Sequence, residues 1–238
     1  MPKLGVNIDH VATLRQARRE CDPDPIQAVR ICERAGAHSI VAHLREDRRH
    51  INDQDIKRIR QTVTTQFNLE MSLSPEIVKI AAVVKPDVAT IVPERRAEVT
   101  TEGGLDVVAN FLRIKKTVAI LQDRGIEVSL FIDPVQKQVE YARKSGAEII
   151  EFHTGQYAHA KTKKHIQTEL NKIRAMTRFA QQVGLVISAG HGLNYNNTAA
   201  IARIPGIAEL NIGHSIISLA VFVGLEKAVK DMLHLAKG

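Results

Sequence analysis

Residues 3–9 read KLGVNID. In an extended chain successive side chains point to opposite faces. Leu4, Val6 and Ile8 therefore share one side, and Gly5, Asn7 and Asp9 share the other. The apolar side fits against a layer of helices. The other side turns hydrophilic toward its end, where an ordinary core would stay apolar. Such a strand suits the wall of a closed barrel, with its polar residues aimed into the lumen near one mouth.

The same division recurs along the chain. In SIVAHLR (39–45), Ile40, Ala42 and Leu44 oppose Ser39, Val41, His43 and Arg45. FNLEMSL (67–73) sets Phe67, Leu69, Met71 and Leu73 against Asn68, Glu70 and Ser72. In EVSLFID (127–133), Val128, Leu130 and Ile132 oppose Glu127, Ser129, Phe131 and Asp133. Ile150 and Phe152 oppose Ile149, Glu151 and His153, and Leu210 and Ile212 oppose Glu209, Asn211 and Gly213.

Eight strands follow from this pattern: Lys3–Asp9, Ser39–Leu44, Phe67–Ser72, Val88–Val92, Glu127–Ile132, Glu148–His153, Leu185–Ala189 and Ala208–Ile212. Each precedes a helical stretch, and that alternation predicts a parallel sheet. Eight units in 238 residues favour closure into an α/β fold of the (β/α)8 TIM barrel type. No linker or composition shift divides the chain, so residues 1–238 read as a single domain. A doubly wound open sheet is the alternative, and no GxGxxG fingerprint supports it.

Helix boundaries are marked by Asp24-Pro25, Ser74-Pro75 and Asp133-Pro134, each an expected N-cap before a first-turn proline. Gly36 and Gly146 stand where a helix should end in the left-handed region. Ile56, Ile59 and Val63 form an apolar stripe at helical spacing. The run from Ile216 to Leu225 is too short to span a bilayer and reads as a buried helix, so no membrane partner is expected.

The formal charge of +7 favours an anionic partner or substrate. Aromatic content of 4% with no Trp leaves few platforms for stacking bases, so nucleic acid is not expected. Outside Arg45-Arg48-Arg49 and Lys161-Lys163-Lys164 the basic residues are scattered, as on an ordinary solvated surface. Cys21 and Cys32 form no CxxC motif and read as reduced thiols. The start of the chain shows no signal peptide, and a cytoplasmic location is expected.

Burying one unpaired polar group costs roughly 1–3 kcal/mol. The lumen residues must therefore pair with one another or meet a ligand, and late-strand positions form the catalytic face of this fold. Glu209 and Asn211 are expected to be structural. After the seventh strand comes AGHGLN (189–194), and after the eighth NIGHS (211–215) opens a helix. Glycines admit an anion close to the backbone, and a helix N-terminus supplies free N–H groups. A second anion region is expected at 44–50, LREDRRH, where Arg45 is in phase with His43. Arg48 and Arg49 are expected to form surface ion pairs with Glu46 and Asp47. Arg18 is open on spacing alone.

In order, GVNIDHVATLRQARR, VAHLREDRRHI, FNLEMS, VPERRAEVTTEGGLD, SLFIDP, EFHTG, SAGHGLN and NIGHSI run through essentially the whole length. With these motifs the chain resembles the pyridoxine 5′-phosphate synthases, ring-closing enzymes of vitamin B6 synthesis through deoxyxylulose phosphate. The resemblance implies a barrel with a few extra helices, a homo-octamer, and no metal or redox cofactor. It also implies two phosphorylated substrates, 3-amino-2-oxopropyl phosphate and 1-deoxy-D-xylulose 5-phosphate, condensed to pyridoxine 5′-phosphate with release of phosphate and water. By the same resemblance Asn7, Arg18, Gly192, Gly213 and His214 hold the amino-ketone phosphate, and Asp9, His10, Arg45, His50 and Thr100 hold the deoxyxylulose phosphate. His43 and Glu70 become proton acceptors, His191 a proton donor and Glu151 a transition-state stabiliser.

The stretch from Pro93 to Leu105 is long for a βα loop, and Gly103-Gly104 offers a hinge, so a lid carrying Thr100 is expected. A zinc hydrolase is the rival suggested by ten histidines, but the sequence has no HxH in the first strand and no HExxH. An imine-forming aldolase would need a lumen lysine, and none stands late in a strand.

Overall fold

Strands β1 (Lys3–Asn7), β2 (Ser39–Leu44), β3 (Gln66–Met71), β4 (Val88–Ile91), β5 (Glu127–Ile132), β6 (Ile149–His153), β7 (Val186–Gly190) and β8 (Ile207–Ile212) each pair with the next in the chain. The pairing is parallel throughout, and β8 returns to β1 with Leu4 opposite Leu210 and Val6 opposite Ile212. Closure leaves the sheet without an exposed edge. The structure is a computed structural model that describes residues 1–94 and 103–238. Each expected strand lies within two residues of the observed one.

The outward side chains form the core. Leu4, Val6, Ile40, Leu44, Phe67, Leu69, Leu130, Phe152 and Leu210 are fully buried between the sheet and the helices. Those helices are α1 (Asp9–Arg18), α2 (Pro25–Ala35), α3 (Asp53–Thr62), α4 (Pro75–Val84), α5 (Phe111–Gln122), α6 (Gln136–Ser145), α7 (Gly155–His159), α8 (Lys163–Gln182), α9 (Thr198–Ala202), α10 (His214–Val223) and α11 (Leu225–Ala236). The extra ones double the connections after β1, β6 and β8. Among the described residues, no helix is long and apolar enough to cross a membrane.

Local signals account for most boundaries. Asp24 accepts the Ile26 N–H before Pro25 opens α2, and Gly36 and Gly146 end α2 and α6 at positive φ. Ile56 and Ile59 are fully buried. Four expectations need correction. The first strand stops at Asn7, because the Asn7 Oδ1 accepts the Asp9 N–H and turns the chain into α1. Asp133 is not a cap: α6 starts at Gln136, and the Asp133 carboxylate is taken by His153. Ser74 precedes α4 but makes no side-chain cap. The apolar run from 216 is not a buried helix: only Ile216 and Ile217 of α10 are buried, Val221 and Phe222 are exposed, and Gly224 at φ 84° breaks the run.

One buried ion pair ties the loop after β2 to the barrel. Arg15 Nη1 and Nη2 donate to the two oxygens of Asp55 at 2.7 Å each, and Nη2 also donates to the His50 carbonyl at 3.0 Å. Asp55 completes a capping box with Asn52 at the start of α3. Removing one partner strands the other as a buried charge. Asp55→Ala should therefore lose about 3–5 kcal/mol of stability in urea denaturation; a loss below about 1 kcal/mol would be that of a solvent-exposed pair.

Candidate active site

The C-terminal ends of the strands bring the hydrophilic side chains together. At the end of β1, Asn7 Nδ2 donates to Asp9 Oδ2 at 2.9 Å and reaches Glu70 Oε2, on β3, at 3.4 Å. The other oxygen of Asp9 accepts the His43 N–H at 2.8 Å. His43, buried on β2, sets Nδ1 4.0 Å from Glu70 Oε2 and Nε2 2.9 Å from Glu94 Oε1. Beyond it, His50 lies 6.1 Å away ring to ring and its Nδ1 accepts the Ile51 N–H. Arg45 is buried and donates to Asp47 at 3.3 Å.

From the other side of the ring, Glu151 on β6 accepts from Asn211 Nδ2 on β8 at 2.6 Å. Glu209 is placed apart. It accepts from Ser39 Oγ at 3.0 Å and lines a separate cavity with Lys3 and Asn68, at the opposite end of the barrel. Glu209 thus serves the structural part expected of it, whereas Asn211 reaches the site. After β7, His191 takes φ 76°, a region side chains adopt reluctantly. Thr154 secures this turn by donating to the carbonyls of Gly190 at 2.8 Å and His191 at 2.6 Å. After β8 the chain passes so close to β1 that a Cβ on Gly213 would lie 2.8 Å from the Asn7 Cβ. Only glycine lets the start of α10 sit there.

These elements enclose a cavity of about 380 Å³. Asn7, His10, Glu70, Glu151, His191, Gly192, Gly213 and His214 all line it, with Phe131, His159, Asn194, Asn211 and Ser215. His43, Asp9, Arg45 and His50 form the flank behind Glu70. The His10 and His214 rings touch edge to face at 5.1 Å. Among the described residues, His10 Nδ1 and Asn211 Oδ1 are buried without a hydrogen-bond partner. Arg18 is exposed at the end of α1 and is not among the lining residues. Thr100 and most of the expected lid lie outside the described residues.

The surface cluster after β2 is largely as expected. Arg49 pairs with Asp47, while Arg48 reaches Asp53 and Glu76 rather than the Glu46 carboxylate. Asp9, His43 and His50 each offer a ligand atom within 4.8 Å of the others, spacing that can hold a metal ion. In the structure those groups are engaged with Asn7, Glu94 and Ile51.

Burial dominates the electrostatics. It raises the Glu70 carboxyl well above the usual range, with Glu151 and Asp9 adding repulsion. Burial also lifts Glu151 to about 7, opposed by the Asn211 hydrogen bond and helped by Glu209. Burial lowers His191 to about 4, assisted by His153 and His159. His10 and His50 are lowered for the same first reason. The cavity therefore holds carboxyls that keep protons and imidazoles that release them, a set suited to moving protons in both directions.

Glu94 escaped the sequence reading, although Thr90, Val92 and Glu94 continue the lumen parity of β4 past its end. Asp133 has the right parity but reads as a helix cap, and His153 has the right parity and receives no role.

A closed parallel barrel with paired acids, imidazoles and a helix N-terminus at its C-terminal mouth defines an enzyme of the TIM-barrel class that works on small anionic molecules. The chain belongs to the PdxJ family, described as pyridoxal phosphate biosynthesis protein PdxJ, whose model it matches over residues 4–238. A pyridoxine 5′-phosphate synthase of Geotalea uraniireducens is 57% identical over 237 residues, covering 100% of this chain and 99% of that protein. One from a Synechococcus strain is 56% identical, covering 98% and 97%. Among solved structures, KGPDC from Streptococcus mutans superposes with a TM-score of 0.69 at 14% identity, covering 100% of this chain and 98% of that one. Phosphoribosylanthranilate isomerase from Thermotoga maritima gives 0.58 at 13%, covering all of both chains. These two share the fold.

Raised carboxyls have a thermodynamic signature. The folded state holds the Glu151 proton up to about 7 whereas an unfolded chain releases it near 4.5, so stability is full below the lower value and declines as pH rises through the window. Glu151→Gln removes that decline. It should stabilise the protein at pH 8 by on the order of 2 kcal/mol, with the advantage vanishing toward pH 5. Thermal melts across this range check it, and equal shifts at both ends would contradict a buried charge at Glu151.

Proposed function

We propose that this chain catalyses the reaction named for its relatives, joining 3-amino-2-oxopropyl phosphate to 1-deoxy-D-xylulose 5-phosphate and closing the pyridine ring of pyridoxine 5′-phosphate, with loss of phosphate and water. The observation that carries this reading is the single cavity onto which Glu70, Glu151 and His191 all open, bordered by the glycines and histidines of the loops after β7 and β8. Imine formation, enolisation and dehydration are successive proton transfers, and each positioned acid or base contributes about 10²–10⁴-fold.

Within this reading Gly192, Gly213 and His214, together with Asn7, hold one phosphate at the loops after β7 and β8. Asp9, His10, Arg45 and His50 hold the other substrate, joined by Thr100. Arg18 belongs to the amino-ketone phosphate set by resemblance, and its exposure at the end of α1 makes it the least supported member. Glu70 and His43, separated by 4.0 Å, act as proton acceptors, Glu70 once it has given up the proton that burial makes it hold in the free enzyme. Glu151, protonated part of the time near neutrality, donates to charge that develops on the bound intermediate. His191 is neutral in the free enzyme, so it first takes a proton from the reacting system and then returns it to a leaving oxygen. No metal enters this scheme. The grouping of Asp9, His43 and His50 favours a metal-assisted rival, which stoichiometric zinc in the purified protein would support.

The enzyme is further proposed to work in the cytoplasm as a homo-octamer. Val221, Phe222 and Val223 on α10 present an exposed apolar row consistent with assembly, and light scattering measures the mass directly.

Purified protein mixed with both substrates should yield pyridoxine 5′-phosphate by mass spectrometry. His191→Asn and Glu70→Gln should fold normally and lose about 10²–10⁴-fold in kcat. Near-normal turnover in either variant removes that residue from its role.

A further inference from the structure

We propose that Asp133 and His153 act together as positioning residues for the His191 imidazole. The inference rests on His191 being the proton donor, and it concerns how that ring is held.

The closed sheet creates the arrangement. Asp133 follows the last residue of β5, His153 ends β6, and His191 follows β7, so three consecutive strand ends stand side by side. His153 Nδ1 and Asp133 Oδ1 are 2.9 Å apart. With the carboxylate as acceptor, Nδ1 carries the proton, which fixes the ring's tautomer and its plane. The His153 ring then meets His191 at 5.0 Å between centroids and 60° between planes. Phe131 meets both rings, His153 at 5.3 Å and His191 at 6.4 Å. The His191 imidazole thus packs against an aromatic wall built from β5 and β6.

Backbone contacts strengthen the case. His191 has a positive φ, and Thr154, the residue after His153, grips its carbonyl. One short segment therefore holds both the main chain and the ring of His191. Gly155 leaves room for this: a Cβ there would fall 2.4 Å from His153 Nε2. His153 is buried, while Asp133 is part-exposed beside a second cavity of about 300 Å³ shared with Lys172 and Glu169. Among the described residues, His153 is the member of the pair that meets the cavity lining, at His191 and Phe131.

The electrostatic consequence has a definite sign. Burial is the first cause of the low proton affinity of His191, and His153 and His159 are the next. Glu70, Glu151, His10 and His214 face it across the same cavity. Replacing His153 by an uncharged ring of similar size should leave the burial and remove its contribution.

The test reads the free enzyme first. Diethyl pyrocarbonate labels neutral imidazole, so the pH dependence of His191 labelling, followed by peptide mass spectrometry, reports its titration without substrate. In His153→Phe that profile should move to higher pH, because one of the causes that lowers His191 is removed while its burial stays. A profile superimposable on the parent's would overturn the inference. Asp133→Ala should lower kcat about tenfold with KM for both substrates within about twofold, as expected for misplacing a proton donor, and Asp133→Asn, which restores an acceptor, should regain most of it. A rise in KM at unchanged kcat, or no recovery in Asp133→Asn, would also overturn it. Full activity in His191→Asn would instead remove the donor assignment while leaving the labelling result readable.

Discussion

Two carboxyl groups, Glu70 and Glu151, face one cavity from separate arcs of the same closed sheet. Both are pushed toward their neutral forms by burial and by acidic neighbours. Two such groups facing one cavity resist ionising together. Much of the surrounding structure serves this constraint. Asn7 and Asn211 turn amide donors toward them, His43 stands beside Glu70, and apolar or neutral groups such as Phe131 and the low-affinity His191 fill the remaining wall. A barrel interior is normally packed with branched apolar side chains. Here the middle and lower layers, Asn68 with Thr90 and Ser39 with Glu209, are polar and internally satisfied. The upper layer keeps polar atoms directed into the cavity.

Much of this was legible in the sequence because strand parity is strict. Asn7, Glu70 and Glu151 could be placed on the lumen side from the period of two alone, and their late positions put them at one mouth. The glycines and histidines after β7 and β8 were equally readable, since the spacing places them at the loops that crown the barrel. What escaped depended on partners far apart in the chain. Asp133 resembles a cap before Pro134, and only the neighbouring strand's His153 shows why it caps nothing. Glu94 follows a short strand, and its importance appears only when His43 and the Glu46 N–H converge on it. The run at 216–225 is apolar all round, so periodicity could not say which face the barrel would cover.

The division between ring and loops explains the precision of the site. Strand ends supply the acids and Asn7, with positions set by the register of a sheet that has no edge to fray. The loops supply what must approach an anion, and they are tied down individually. Arg15 and Asp55 fix the segment bearing His50, Thr154 fixes the turn at His191, and Gly213 allows α10 to begin against Asn7. None of these ties is part of the proton-transfer set. Their shared effect is to limit how far the reacting groups can drift, and about an ångström of drift is enough to cost an enzyme much of its rate.

A cavity lined by acids is at first sight a poor place for phosphate esters. The raised carboxyls resolve the conflict. A protonated Glu151 repels no anion, and it can donate a hydrogen bond that an ionised one cannot. Entry of a phosphate would raise the proton affinity of both carboxyls and of His191 alike, since each feels the added negative charge. His191 begins near 4 and so has the furthest to climb before it can carry a proton at neutral pH. In the proposed scheme substrate charge and acid strength are thereby linked: the donor would be armed by the anions assigned to the loops after β7 and β8. On this view the overall positive charge of the chain and the acidity of its lumen are complementary, the one drawing anions in and the other using their field once they have arrived.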